Sequence, residues 1–221
     1  MLHAATNSPA ALSTIAKALY PEGSWFRRHT QIWRPYICPY HLLVAQIPRG
    51  ATVLDIGCGA GLLLGLLASA GKLRLGRGFD ASKIGIRTAQ EMKARLGAAG
   101  DAIEFEHRDV AEPWPSGHFD VVSLIDVMHH VPPAFHREVI ALACERVDKG
   151  GLLLYKDMAR RPWWLAVANR AHDLLFARQW INYVALDDVR AWAVECGLRE
   201  ERFAAIRQLW YGHEMCCFRR K

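Results

Sequence analysis

Residues 53–63 read VLDIGCGAGLL, and this string constrains the fold more than any other. The run ATVLDI (51–56) is short, apolar and stops at a glycine turn, as a strand buried on both faces does. Residues 60–70 are apolar again and read as a helix. A buried strand that passes through glycines straight into a helix begins a parallel crossover unit. In an open sheet of such units, ligands bind beyond the C-terminal ends of the strands, which is where Asp55-Ile56-Gly57-Cys58-Gly59-Ala60-Gly61 falls. Glycine there permits positive φ and lets a ligand approach the backbone with no Cβ in the way.

The alternation continues downstream. RLGRGFD (74–80) reads as a second strand, and Ser82 caps a helix running to about Leu96, which Gly97 and Gly100 end. AIEFEH (102–107) alternates as a third strand, and HFDVVSLIDV (118–127) is the most β-like run of the chain. Pro132-Pro133 opens a helix through about Val147, and Lys149-Gly150-Gly151 turns into a fifth strand, LLLYKDM (152–158). Residues 159–180 read as an added helix, and a further helix runs from about Asp187 to Cys196, stopped by Gly197. Two last strands, about 199–207 and 209–218, are close enough in sequence to pair antiparallel. Ahead of all this, residues 1–48 form a preface rich in Pro and aromatics, expected to be short helices broken by prolines.

At 221 residues with 52% hydrophobic and 23% charged side chains, the chain suits one α/β domain with appended elements. The longest uncharged apolar run, Gly59 to Gly71, falls short of the roughly 20 residues of a membrane helix. The N-terminus lacks the pattern of a secretory signal, so a cytoplasmic location is expected. The six cysteines form no CxxC pair and no zinc spacing; they are expected to be reduced thiols, and no metal is expected. The net charge of +6 suits an anionic partner or simply a solvated surface. No nucleic-acid-binding motif accompanies that charge, whereas an acidic acyl carrier protein and an anionic membrane face fit it equally well.

Several nucleotide cofactors use glycines after a first strand. A dinucleotide turn is G-x-G-x-x-G, and here the position of its last glycine is Leu62. A P-loop is excluded because no G-x-x-x-x-G-K-[ST] string occurs. The full string, with its preceding Asp55, resembles that of class I S-adenosylmethionine (SAM)-dependent methyltransferases, especially those acting on small molecules. The resemblance covers about residues 45–158 well and the C-terminal strands in outline. It implies a doubly wound, mostly parallel, seven-stranded Rossmann-like sheet with an antiparallel last strand. To that fold are added the N-terminal helical cap (1–48) and, within the SAM-binding domain of residues 49–221, an insertion (159–185) that covers the substrate.

The resemblance also implies a cofactor set. Gly57, Cys58, Gly59 and Gly61 lie against the methionine part of SAM, with Asp55 reaching its amino end. Asp80, followed by Ala81, ends the second strand and accepts hydrogen bonds from the ribose hydroxyls. Asp109 meets the adenine amino group and Val110 lies beside the ring; Ile125 is near the methionine moiety, and Tyr36 of the preface reaches the cofactor. Taken alone, an Asp at a strand end is a turn former or helix cap; three after successive strands, beside the glycine turn, point to a site.

SAM carries an electrophilic methyl, so the protein mainly aligns a nucleophile, and an oxygen acceptor needs a base. His129 and His130 follow the fourth strand at the correct end of the sheet. His172, in the insertion, is a second candidate and His213, on the last strand, a weaker third. The same residues read equally as groups that shape a loop or a helix surface. Large aromatics, Trp25, Trp33, Tyr36 and Tyr40 in the preface and Trp163, Trp164 and Trp180 in the insertion, favour an aromatic or lipophilic acceptor. Basic residues cluster in and around the same regions: Arg27, Arg28 and Arg34, then Lys156, Arg160 and Arg161. They favour an intermediate carried on an acidic carrier protein, as in polyketide or aryl-polyene pathways, with a membrane-borne quinone or lipid as the rival. A catalytically inert SAM-binding or partner-binding subunit is the reading from another class. Nucleic-acid methylation is disfavoured, because Asp126 leads into Val-Met-His-His rather than Pro-Pro-Tyr.

Overall fold

The computed structural model describes residues 8–23, 25–159, 184–209 and 211–221. The chain forms two compact units, Met1–Pro115 and Ser116–Lys221. The first holds α1 (Pro9–Leu19), α2 (Trp25–Ile37), α3 (Tyr40–Gln46), β1 (Ala51–Ile56), α4 (Leu62–Ser69), β2 (Leu73–Asp80), α5 (Lys83–Arg95) and β3 (Ile103–His107). The second holds β4 (Phe119–Ile125), α6 (His136–Glu145), β5 (Val147–Met158), α7 (Leu186–Glu195), β6 (Leu198–Gln208) and β7 (Tyr211–Arg220). The strands make a seven-stranded sheet of order β3-β2-β1-β4-β5-β7-β6. Strands β1, β2 and β3 pair in parallel, as do β4 and β5, while β7 runs antiparallel to both β5 and β6. This is the doubly wound, mostly parallel α/β sheet with a reversed last strand that the sequence pattern implies.

Local chemistry explains most boundaries. Every residue of β1 is buried, matching its unbroken apolar run. Helix α4 is buried from Leu62 to Ala68, as expected of a helix apolar all round. Its Gly65 leaves room for neighbours: a Cβ there would meet Met92 Sδ of α5 at 2.8 Å and Leu19 Cδ1 of α1 at 3.0 Å. Ser82 caps α5 by accepting from the Gly85 amide at 3.0 Å.

The preface belongs to the first unit, with α1 packing on α2, α3 and α4. Lys72 Nζ donates to the carbonyls of Val44 and Ile47, each at 2.7 Å, and so satisfies the end of α3. Pro39 does stand at the start of α3, but Pro35 lies inside α2 and does not break it. Placed near the helix end, Pro35 forfeits one hydrogen bond, and the Cys38 amide still donates to Arg34 O at 2.8 Å.

A second difference concerns residues 149–151. The expected turn is instead an irregular start to β5, which runs from Val147 with a register shift against β4. Gly151 fits there because a Cβ would meet carbonyl oxygens of Asp148, Asp120 and Phe119 at 2.9–3.1 Å. The added helix expected over 159–180 lies, apart from Ala159, outside the described residues. None of the six cysteines, all of them among the described residues, is joined in a disulfide. Among the described residues no helix is long and apolar enough to cross a membrane.

The glycine turn gives a stability test. Gly61 has φ +78° and a Cβ there would lie 2.5 Å from Phe105 Cζ, whereas Gly59 has φ +55° with nothing within 4 Å. Gly59→Ala should therefore cost about 1 kcal/mol, the penalty of the left-handed backbone alone. Gly61→Ala adds overpacking and should cost about 3 kcal/mol. Urea unfolding midpoints at constant slope check the difference, and equal losses would refute the packing role of Gly61.

Candidate active site

The first cluster of candidate residues surrounds the glycine turn between β1 and α4. The turn is knitted to β2: the Cys58 amide donates to Phe79 O at 3.0 Å, and the Gly59 amide donates to Asp80 Oδ2 at 2.8 Å. The other oxygen of Asp80 accepts from the Ser82 amide at 2.7 Å. Asp80 thus bridges the turn and the start of α5, by charge-assisted bonds stronger than neutral ones. Gly59 opens onto free space, which lets a ligand lie against the backbone. Cys58 instead packs inward over Gly78; burial, with the Asp55 and Asp80 carboxylates beside it, pushes its thiol well above the ordinary range.

A contact that sequence reasoning missed comes from α1. The Tyr20 hydroxyl, C-terminal to that helix, donates to the Ala60 carbonyl of the turn at 2.8 Å. Burial, reinforced by Tyr40 and Cys58, raises the phenol well above its usual value, so it remains a donor. Forty residues separate the two groups, and no local pattern announces such a pairing.

The segment after β3 folds on itself. Asp109 is exposed and its Oδ1 accepts from the Ala111 amide at 2.9 Å, while its own amide donates to Glu112 at 3.3 Å. Asp109 is therefore a turn former as well as a site candidate. Trp114, also missed in the sequence, donates from its indole to Val110 O at 2.8 Å and packs its ring 5.3 Å from that of Phe79. It fixes the Asp109–Val110 segment against β2. Arg108 caps the loop by donating to the Pro113 carbonyl.

The second cluster lies where β4 and β5 end. Ile125 is buried, and the next residue, Asp126, has φ +57°, the left-handed region that non-glycine residues rarely enter. Its amide donates to Lys156 O at 2.9 Å, and its carboxylate meets Lys156 Nζ at 2.5 Å. A short 3-10 turn, Met128–His130, follows. His129 is 3% exposed; its Nδ1 lies 2.5 Å from Asp157 Oδ1, and its amide donates to Asp157 Oδ2 at 3.3 Å. With Nδ1–H donated to the carboxylate, the neutral ring keeps its lone pair on Nε2. His130 is exposed and its ring centroid is 4.0 Å from that of His129. The far end of the loop is pinned by His136, whose Nε2 lies 2.8 Å from Val131 O.

The remaining candidates are distributed elsewhere. Asp55 is buried within β1, and Ala81 is exposed. Tyr36 is half-buried, its ring 5.3 Å from Trp33, and nothing in the described contacts brings it to the glycine turn. Trp25 and Trp33 are exposed on α2, whereas Tyr40 is buried. His213 is buried on β7 beside Tyr211, opposite Met158 rather than within the His129 turn. His172, Arg160, Arg161, Trp163, Trp164, Trp180 and the side chain of Arg27 lie outside the described residues. The sequence alone does not pair Asp157 with His129 or Lys156 with Asp126, since these partners are 28 and 30 residues apart.

Residues 26–201 match a family model described as a methyltransferase domain. The chain is 31% identical over 172 residues to a 27-O-demethylrifamycin SV methyltransferase of Amycolatopsis mediterranei, covering 75% of this chain and 61% of that protein. It is 29% identical over 157 residues to a ubiquinone biosynthesis O-methyltransferase of Pseudomonas paraeruginosa, covering 67% and 65%. The chain thus spans just under two thirds of the length of these curated relatives. In fold it is similar to a magnesium protoporphyrin IX methyltransferase from Synechocystis solved with S-adenosylhomocysteine (SAH), with TM-score 0.67, 22% identity, and 94% and 93% of the two chains covered. An O-methyltransferase family 2 protein from Planctomyces limnophilus, in complex with apigenin, gives TM-score 0.68 at 18% identity, covering 96% and 65%. Together with the acid–glycine turn ending β1 and the carboxylate of Asp80 bound to its backbone, these matches identify the chain as a member of the class I SAM-dependent methyltransferases.

Proposed function

We propose that this chain transfers a methyl group from SAM to an oxygen of a small aromatic or lipophilic acceptor, with His129 as the base. The observation that carries this reading is the His129–Asp157 pair. A carboxylate on Nδ1 fixes the tautomer and orientation of the ring, and stabilises the imidazolium once a proton arrives at Nε2.

The glycine turn fits SAM better than a phosphate-bearing cofactor. The amide of Gly59, which a phosphate would need, is given to Asp80, and the carboxylates of Asp55 and Asp80 favour ammonium and hydroxyl groups over anions. When bound, SAM supplies an electrophilic methyl on a sulfonium. The turn, with Asp55, would hold its methionine part, Asp80 and Ala81 its ribose, and Asp109 and Val110 its adenine. Ile125 would flank the methionine end, and Tyr36 would reach the cofactor from the preface. What the protein then provides is alignment of the acceptor oxygen and a place for its proton.

The aromatics of residues 1–48 and of 159–185, the latter segment lying outside the described residues from 160 to 183, support an aromatic or lipophilic acceptor by their composition. The ubiquinone and rifamycin relatives support O-methylation of a small molecule, a quinone precursor among the candidate acceptors, and an acceptor tethered to an acyl carrier protein stays within this reading. The cytoplasm and peripheral contact with an anionic membrane remain part of this reading. A second assignment of the base, His130, is favoured by its exposure beside the His129 ring. An inert SAM-binding subunit would bind the cofactor without turnover.

Two outcomes follow. Asp80→Asn should weaken SAH binding about tenfold or more in calorimetry, each tenfold being about 1.4 kcal/mol. His129→Gln should lower kcat by a factor on the order of 100 or more while SAH affinity stays within about twofold. The assay is SAM consumption over phenols, quinones and carrier-linked acids. If His129→Gln retains kcat and His130→Gln loses it, the base is His130; if both retain it, transfer proceeds by alignment alone.

A further inference from the structure

Lys156 takes no part in the transfer described above, yet it is buried to 1% exposure in β5. Its ammonium meets Asp126, the residue forced into positive φ at the exit of β4, and their main chains are joined as well. The next residue along β5, Asp157, takes both the ring and the amide of His129. Consecutive residues of one strand therefore hold the loop at its start and at its histidine.

A buried ion pair gains little stability over an apolar pair of the same volume, because two charges must be taken out of water. Its distinctive contribution is a single geometry. Here that geometry is a left-handed turn, in which an aspartate is less stable than in the right-handed region. Met128 is fully buried and the Val131 amide donates to its carbonyl at 3.1 Å, so a change at Asp126 is transmitted to the turn carrying His129 and His130.

We infer that Lys156 is a positioning residue for the reaction loop: by holding Asp126 in the left-handed turn, it sets where His129 stands while Asp157 sets how its ring is oriented. This rests on His129 being the base, but the role in placing the imidazole is measurable without turnover. The Nδ1–H proton held by Asp157 gives a downfield proton NMR signal, assigned by its absence in His129→Gln.

Lys156→Met should lower kcat roughly 10- to 100-fold, the scale of a small misplacement at a reacting centre. It should leave SAH affinity within about threefold and broaden or abolish the His129 signal. Lys156→Arg should recover part of both. The decisive variant is Lys156→Met with Asp126→Gly, where glycine adopts the turn without an ion pair and no buried carboxylate is left unpaired. It should restore the signal and return kcat to within about fivefold of wild type. If Lys156→Met alone does not fold, the double variant decides. A Lys156→Met protein with the signal intact and kcat unchanged overturns the inference, as does a folded double variant with the signal still missing. A restored signal with no methyl transfer in any variant, wild type included, would count against His129 as base and not against Lys156.

Discussion

The turn that ends β1 depends on backbone that only glycine accepts at low cost, and the rest of the first unit is arranged around it. Gly61 takes positive φ where Phe105 and Met92 leave no room for a side chain, and the chain passes directly into a helix apolar on every face. That helix is covered by α1 and α5, and both elements return to the turn: Tyr20 reaches it from the end of α1, and Asp80 joins it to the start of α5. The turn proposed as the cofactor seat is in this sense fixed by the chain's own contacts. Its polar groups already hold one another, and Gly59 is left open beside them.

In the second unit the feature to explain is how the loop carrying His129 is held in one place. Strand β5 supplies the rigid element. Its Lys156 and Asp157 are buried, and each is bonded across to the exit of β4. His129 is thereby held from its ring and its amide, and His136 fixes the loop's far end. If His129 is the base proposed above, such support matters, because misplacement costs more than the hydrogen bonds themselves contribute.

What the sequence made legible follows from the range of the interactions involved. Strand β1 occupies the very run ATVLDI, Ser82 caps α5 as its position demands, and the last two strands pair antiparallel, because each rests on local pattern or nearby punctuation. Asp80 was visible as an acid about 20 residues after the glycines. Tyr20, Trp114, Lys156 and Asp157 were not visible in these roles. The partners of Tyr20, Lys156 and Asp157 lie 28 to 40 residues away, and an isolated Tyr or Lys carries no periodic signal of such a contact. Trp114 contacts a near neighbour, but through an indole whose direction depends on packing against Phe79. The prolines of the preface are expected to break its helices, but Pro35 does not; sequence alone does not weigh one lost hydrogen bond against the packing of a whole helix.

The central claim joins an oxygen acceptor to the His129–Asp157 pair, and the bond formed reports on it directly. SAM labelled with carbon-13 in its methyl group, supplied with an accepted substrate, places the label in a product whose carbon chemical shift distinguishes methoxy from N-methyl and C-methyl. The account predicts a methoxy carbon from the wild-type protein and a small fraction of that yield, in the same time, from His129→Gln. A label on nitrogen or carbon, or equal methoxy yield from both proteins, would contradict it.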